Sequence, residues 1–160
     1  MAKITKIEQV PPKMLVPYGR NAKKHPAEQI EKLKNSIVAF GFLTPCVIDR
    51  EYNIIAGHGR VQAALELGMN TVPCVFVDGL TDEERRAYIL VDNRIGELSG
   101  WDYELLDMEL DNIQLDMSEF GFSADGIDID NFFEAAGQSE ETEKKQKEAV
   151  CPNCGTVIPL

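Results

Sequence analysis

The stretch Ile54–Arg60, with the sequence IIAGHGR, decides the fold because an apolar segment passes through two glycines directly into a helical pattern. Helical spacing begins at Arg60, continues to Leu67 and ends at Gly68. Glycines between a strand and a helix N-terminus let backbone N–H groups approach an anion closely, and an arginine adds a bidentate donor. The pattern indicates a phosphate-binding turn formed by Gly57, His58, Gly59 and Arg60. The same spacing also suits a turn required for steric reasons alone, so these four residues leave both interpretations open.

The segments around this turn alternate between helical and strand patterns. Apolar spacing predicts helices over 26–40, 81–93 and 101–110, and a short acidic candidate over 125–136. Apolar runs predict a hairpin of residues 45–49 and 53–56, and a buried strand over 71–77. The predicted order of helix, strand, strand, helix, strand and helix indicates an α+β core of mixed α/β type. Trp101 and Met108 are interpreted as packing residues.

Composition limits the class of protein. The chain has 160 residues, 44% of them apolar and 27% charged, which suits one globular domain with a tail. Neither a membrane-crossing apolar run nor a signal peptide is recognisable, so we expect a soluble, cytoplasmic protein that does not bind membranes. Residues 137–148, with the sequence GQSEETEKKQKE, have the composition of a solvated linker and separate a short tail from the rest of the chain. The predicted domains are a core at 1–96, an acidic helical extension at 97–136, a flexible linker at 137–149 and a tail at 150–160.

Charge is distributed unevenly along the chain. Residues 1–60 hold ten Lys/Arg against five Asp/Glu, whereas residues 61–160 hold six against 22, and the total is −11. Because proteins that bind DNA mainly through phosphates are usually basic, the acidic part argues against a broad DNA-binding surface there. The basic part remains suited to a small anion.

The four cysteines fall into two groups. Cys46 and Cys74 lie in apolar runs and are interpreted as core thiols. Cys151 and Cys154, in the sequence CPNCG, form a zinc-knuckle-like pair. Tetrahedral zinc needs four ligands, so the pair is a Zn²⁺ half-site that a second chain completes, that further residues complete, or that stays empty.

Several motifs in order resemble one known family. They are the segment 17–25 (PYGRNAKKH), the helix 29–40, the segment 41–45 (GFLTP), the turn 54–60 followed by Ala63 and Ala64, Gly68, and Val72-Pro73. Together they are similar to the N-terminal domain of the ParB/sulfiredoxin superfamily, over about residues 5–96. The segment 87–94 (AYILVDNR) with Trp101-Asp102 resembles the ParB-like domains of phage and mobile-element proteins that are associated with DNA methyltransferases.

The resemblance implies roles for individual residues. Gly57, His58, Gly59 and Arg60 would bind the triphosphate, with Gly41, Thr44 and Pro45 beside the nucleotide. Asp92 and Asn93 correspond to a Glu-Asn pair that touches the phosphates and Mg²⁺ in partition proteins. A carboxylate with an amide suits that hard cation. The family's Asn-Pro-Arg box appears as Asn21-Ala22-Lys23, so Lys23 or Lys24 takes the place of its arginine.

Departures from the family pattern narrow the expected activity. His58 stands where sulfiredoxins carry their reactive cysteine, which argues against sulfiredoxin chemistry. Partition proteins have Glu-Arg in place of His58-Gly59, and the helix-turn-helix domain that follows in them is not recognisable after residue 100.

We therefore expect a nucleoside-triphosphate-binding domain that uses Mg²⁺ with CTP or ATP and acts in a phage or mobile-element DNA transaction, as a homodimer. Two alternatives stay open. One is an enzyme, a ParB-like DNA endonuclease or NTPase in which His58 and Asp92 are catalytic. The other is a non-catalytic accessory module that reaches DNA through a DNA methyltransferase or terminase partner.

Overall fold

The computed structural model describes residues 2–122, and the backbone alone of residues 148–150 and 157–159. Its contacts divide the chain into two compact units, Met1–Gly126 and Ile127–Leu160. The helix predicted over 125–136 falls outside the described residues. The domain boundaries predicted at residues 96, 136 and 149 stay predictions.

The described part of the first unit contains four strands, four α-helices and two short 3₁₀ helices, Pro12–Met14 and Met117–Phe120. In chain order the larger elements are β1 (Lys3–Val10), α1 (Ala27–Phe40), β2 (Cys46–Ile48), β3 (Ile54–Ala56), α2 (His58–Glu66), β4 (Val72–Asp78), α3 (Asp82–Glu97) and α4 (Tyr103–Asp111). In the second unit, β5 (Glu148–Val150) pairs antiparallel with β6 (Val157–Pro159).

The four strands form one sheet in the order β1-β4-β2-β3. Strand β4 runs antiparallel to β1 and parallel to β2, and β2 runs antiparallel to β3. The tight β2–β3 connection is held by Asp49, whose carboxylate accepts from the backbone N–H groups of Glu51 and Asn53. This hairpin brings the chain back so that α2 begins at the end of β3.

Side chains alternate along the central strands between a buried and a half-buried face. Val72, Cys74 and Phe76 of β4 are at most 2% exposed, while Pro73 and Val75 between them are half-buried. The buried face packs against Val61 and Ala64 of α2. The core therefore lies between the sheet and the helix that starts at the glycine turn.

Helix α1 ends at the glycine, and α3 begins at the capping box, that the sequence predicts at these positions. Gly41 follows α1 with φ +83°, and its N–H donates to the carbonyl of Ile37. At the start of α3, Thr81 and Glu84 exchange side-chain and backbone hydrogen bonds in a capping box. Arg85 then pairs with Asp49 at 2.7 Å, which fixes this end of α3 to the β2–β3 hairpin.

The α+β fold class and the predicted core elements are confirmed, with shifts of a few residues at their ends. Helix α2 begins at His58, before the predicted Arg60, and α3 continues to Glu97. Strand β1 was not predicted, because it is an edge strand in which only Val10 is buried and no apolar alternation marks it. No described helix is long and apolar enough to span a bilayer.

The interpretation of Trp101 and Met108 as packing residues was wrong. Their side chains are 60% and 63% exposed. Met108 belongs to α4, in which no residue is buried, and Trp101 lies just before that helix. Trp101 contacts Phe122 edge-on, with ring centroids 6.0 Å apart.

Candidate phosphate-binding turn

The predicted turn lies where β3 passes into α2. Gly57 is the residue before the helix and has φ +99°, a conformation that side-chain-bearing residues rarely adopt. The first backbone hydrogen bond of the helix runs from the N–H of Val61 to the carbonyl of Gly57, and no side chain caps the N-terminus. The N–H groups of His58, Gly59 and Arg60 thus have no acceptor within the helix, and an anion at this end of α2 would find donors.

Gly59 is required by packing. A Cβ atom added there would lie 3.0 Å from Nδ1 of His25 and 3.1 Å from Cδ1 of Leu33, in α1. The first turn of α2 is therefore in close contact with Leu33 of α1 and with His25, which lies two residues before that helix. The steric interpretation of the sequence is correct for this glycine, and it is compatible with anion binding at the same turn.

Arg60 connects the turn to the segment that precedes β2. Its Nη2 atom donates to the carbonyl of Pro45 over 3.4 Å, a long hydrogen bond. Its Nε atom is buried and has no hydrogen-bond partner among the described residues. The structure thus brings together Pro45 and Arg60, and it leaves Arg60 with donors to spare.

His58 is held by a backbone group that sequence analysis did not identify. The N–H of Tyr18 donates to Nε2 of His58 over 3.2 Å, so Nε2 is unprotonated and Nδ1 carries the proton. Burial lowers the pKa of His58 below its usual value, and the nearby His25 lowers it further. At neutral pH this imidazole is therefore uncharged and presents Nδ1–H as a donor, which favours a ligand-binding role over that of a general base.

The other predicted residues lie on the surrounding loops. Gly41 has φ +83° at the end of α1, and Thr44 is exposed. Lys23 forms an ion pair with Glu97 at the end of α3, and its own N–H donates to Oδ1 of Asn21. The segment before α1 is thereby tied to α3.

Asp92 and Asn93 lie in α3 and hydrogen-bond to that helix. Asn93 donates from Nδ2 to the carbonyl of Ile89 over 2.7 Å, which leaves its Oδ1 as an available ligand atom. Asp92 is exposed and accepts from the hydroxyl of Tyr88 over 3.5 Å. Within residues 2–122 no hydrogen bond joins either residue to the glycine turn, and no group of three or more metal-ligating side chains occurs. The oxygen donors suit Mg²⁺, and the metal and catalytic roles stay predictions.

Cys151 and Cys154 lie outside the described residues, so the zinc half-site also stays a prediction. The two strands that flank them in sequence are paired, with Val150 opposite Val157.

Comparison with known proteins identifies the family. The model of the ParB N-terminal domain matches residues 2–94. The ParB-like nuclease domain-containing protein YnaK of Escherichia coli K12 is 45% identical over 86 residues, which cover 54% of this chain and 99% of that protein. The chromosome-partitioning protein Spo0J of Thermus thermophilus is 34% identical over 91 residues, 54% of this chain and 34% of Spo0J.

A solved structure shares the fold. The C-terminally truncated chromosome-partitioning protein ParB from Caulobacter crescentus, complexed with CTP-gamma-S, superposes with a TM-score of 0.58 at 22% identity. The superposition covers 72% of this chain and 71% of that one. The family match spans more than half of the chain, and the core residues it covers form the sheet and the glycine turn. The chain therefore belongs to the ParB N-terminal domain family, within the ParB/sulfiredoxin superfamily.

Proposed function

We propose that this chain is a Mg²⁺-dependent nucleoside-triphosphate-binding domain that acts in a phage or mobile-element DNA transaction. The observation that carries the proposal is the glycine turn at the start of α2. There, three backbone N–H groups lack an acceptor within the helix, and Arg60 has a buried Nε without a hydrogen-bond partner in the described part of the chain. These donors match the oxygens of a polyphosphate.

The uncharged state of His58 fits this role. Its Nδ1–H can donate to a phosphate oxygen, while Tyr18 fixes the ring through Nε2. The positive charge for binding then comes from Arg60 and the partial charge of the helix N-terminus. Asp92 and Asn93 would hold Mg²⁺, whose charge offsets that of the phosphates. By the family resemblance, Gly41, Thr44 and Pro45 would lie beside the nucleoside. The contact between Pro45 and Arg60 supports this position for Pro45.

Cytidine triphosphate is the first nucleotide to test. The Caulobacter relative of the same fold was solved with CTP-gamma-S, and ATP is the other candidate. The similarity to Spo0J supports a role in a DNA transaction, although this chain spans only about a third of that protein. The chain has a net charge of −11, which does not favour direct binding to DNA phosphates. We therefore propose that the domain acts as a homodimer and reaches DNA through a partner protein such as a DNA methyltransferase or terminase.

Calorimetric titration of CTP, ATP and GTP, each with and without Mg²⁺, tests the proposal. Micromolar binding that requires Mg²⁺ and is lost in Arg60→Ala would support it. Arg50→Ala is the matched control, because Arg50 is 72% exposed and pairs with Asp78 on the surface. Lack of binding to all three nucleotides by the folded wild type would refute the proposal.

A second candidate function is DNA cleavage. It is favoured by the 45% identity to a protein described as containing a ParB-like nuclease domain, which the alignment covers almost completely. Metal-dependent nicking of a supercoiled plasmid that disappears in Asp92→Ala, and persists in the exposed control Asp107→Ala, would support it. If neither nucleotide binding nor nicking is observed, capture of a methyltransferase or terminase by the purified chain would support the accessory-module alternative.

A further inference from the structure

Two buried cysteines lie in the central strands, and one of them contacts the glycine turn. Cys46 in β2 and Cys74 in β4 are partners at the same step of the parallel ladder between the two central strands. Both are 0% exposed. Both thiols fit their apolar surroundings. The position of Cys46 relative to the glycine turn indicates a further role for that residue.

The sulfur of Cys46 contacts the turn from below. Its Sγ lies 3.8 Å from the carbonyl oxygen of Gly57, within reach of an S–H hydrogen bond. A Cβ atom added to Gly57 would lie 3.0 Å from this sulfur and also 3.0 Å from Nη2 of Arg60. The absence of a side chain at Gly57 therefore leaves room for both the thiol and the guanidinium on the side of this residue where a Cβ atom would lie.

Arg60 has few other groups that could fix its position. Its contact with the carbonyl of Pro45 is 3.4 Å long, and its Nε has no partner among the residues that the structure describes. A buried N–H group without an acceptor is costly, and a sulfur acceptor beside the same side chain offsets part of that cost. The neighbouring Cys74 thiol lowers the pKa of Cys46, and the charge of Arg60 lowers it further.

We propose that Cys46 is a positioning residue for the phosphate site, and that its sulfur fixes both the Gly57 carbonyl and the Arg60 guanidinium in the conformation that receives an anion. This inference rests on the proposed function, since it concerns affinity at the same turn. Cys46 touches no phosphate itself and acts through Arg60. No hydrogen bond joins Cys74 to Gly57 or Arg60 in the described part of the chain, so its removal leaves both contacts of Cys46 in place.

Four variants test the proposal in the full-length chain. Cys46→Ala removes the acceptor, Cys46→Val removes it while filling the volume, and Cys46→Ser restores a polar atom at nearly the same place. Cys74→Ala is the matched control, equally buried at the same ladder step. We expect Cys46→Ala and Cys46→Val to weaken Mg²⁺–CTP binding about tenfold, and Cys46→Ser and Cys74→Ala to stay within about threefold of the wild type.

A spectroscopic readout separates this proposal from the proposed function. The ¹H–¹⁵N resonance of the Arg60 side-chain Nε should shift in ligand-free Cys46→Ala, return toward its original position in Cys46→Ser, and stay in place in Cys74→Ala. If the wild type binds no nucleotide, the proposed function fails while this comparison still decides the inference. If the Arg60 resonance does not move in Cys46→Ala, the inference is wrong. Equal losses of affinity and melting temperature in Cys46→Ala and Cys74→Ala would also overturn it, because they would show that the cysteines contribute packing alone. If Cys46→Ala does not fold, Cys46→Val takes its place.

Discussion

The glycine turn and the Asp92–Asn93 segment are both proposed to bind nucleotide, but they are built in different ways. The turn is contacted by Tyr18, by His25 and Leu33, and by Cys46 of the sheet, so tertiary contacts fix it before any ligand arrives. Asp92 and Asn93 hydrogen-bond only within their own helix among the described residues. The proposed phosphate site is therefore preformed, whereas the proposed metal ligands would have to be fixed by the ligand or by a second copy of the chain.

The two ends of α3 show the same contrast. Arg85 ties the first turns to the hairpin, and Ile89 is 2% exposed. Beyond Asn93, Ile95 and Leu98 are 63% and 68% exposed. The proposed metal ligands thus lie next to the half of α3 that has little core packing. Substitutions in the glycine turn should lower both stability and binding, whereas substitution of Asp92 should lower binding alone.

The largest effect on stability is expected from Gly57→Ala. The added Cβ would be strained at φ +99° and would lie 3.0 Å from both Cys46 Sγ and Arg60 Nη2. We expect a loss of about 3 kcal/mol, measured by urea denaturation, together with loss of nucleotide binding. Gly68→Ala is the control, because φ is +67° there but nothing lies within 4 Å, and it should cost about 1 kcal/mol. Equal losses in the two variants would show that the turn is not tightly packed.

The next largest effect is expected from Asp49→Ala, which removes the anchor of α3. This carboxylate is 13% exposed, pairs with Arg85 and accepts from the amide of Asn53. Its loss should destabilise the fold by about 2 kcal/mol in thermal or urea denaturation, because Arg85 is left without its buried partner. The control Asp82→Ala removes the other partner of Arg85, which is 88% exposed, and should change stability by less than about 0.5 kcal/mol. A large effect of Asp82→Ala would contradict the anchoring role of Asp49.

A smaller effect is expected from acidification, and it should act on the turn. The pKa of His58 is lowered by burial and by His25, so in the folded protein His58 takes up its proton at lower pH than in the unfolded chain. Stability is therefore complete above the unfolded value of about 6.5 and decreases as the pH falls through the folded pKa. His58→Gln should flatten this part of the stability profile. Titration of the two histidines by NMR checks the assignment, and a His58 resonance that titrates above pH 6.5 would refute it.

The parts of the site that the sequence predicts are those with local signals. Gly57 and Arg60 are recognisable because a strand, two glycines and a helix follow one another, and the Thr81 capping box marks the start of α3. The contacts that hold the turn were not predicted. Tyr18 reaches His58 with a backbone N–H, which has no side-chain signature. Cys46 lies beside Gly57 because β2 and β3 pair antiparallel with Val47 opposite Ala56, and the sequence does not specify this register. Strand β1 was missed because its exposed side chains follow no burial pattern.

Asp92→Ala should have the smallest effect on stability and so tests the contrast between the two regions most sharply. The side chain is exposed, and its hydrogen bond with Tyr88 is 3.5 Å long, so its loss should change the free energy of unfolding by less than about 0.5 kcal/mol. If Asp92 holds Mg²⁺, nucleotide affinity should fall in the presence of the metal and match that of the wild type in its absence. Asp107→Ala, an exposed acid in α4, should alter neither quantity. Equal nucleotide affinities of wild type and Asp92→Ala at saturating Mg²⁺ would show that the Asp92 carboxylate does not hold the metal. The glycine turn would then bind the phosphates without Asp92.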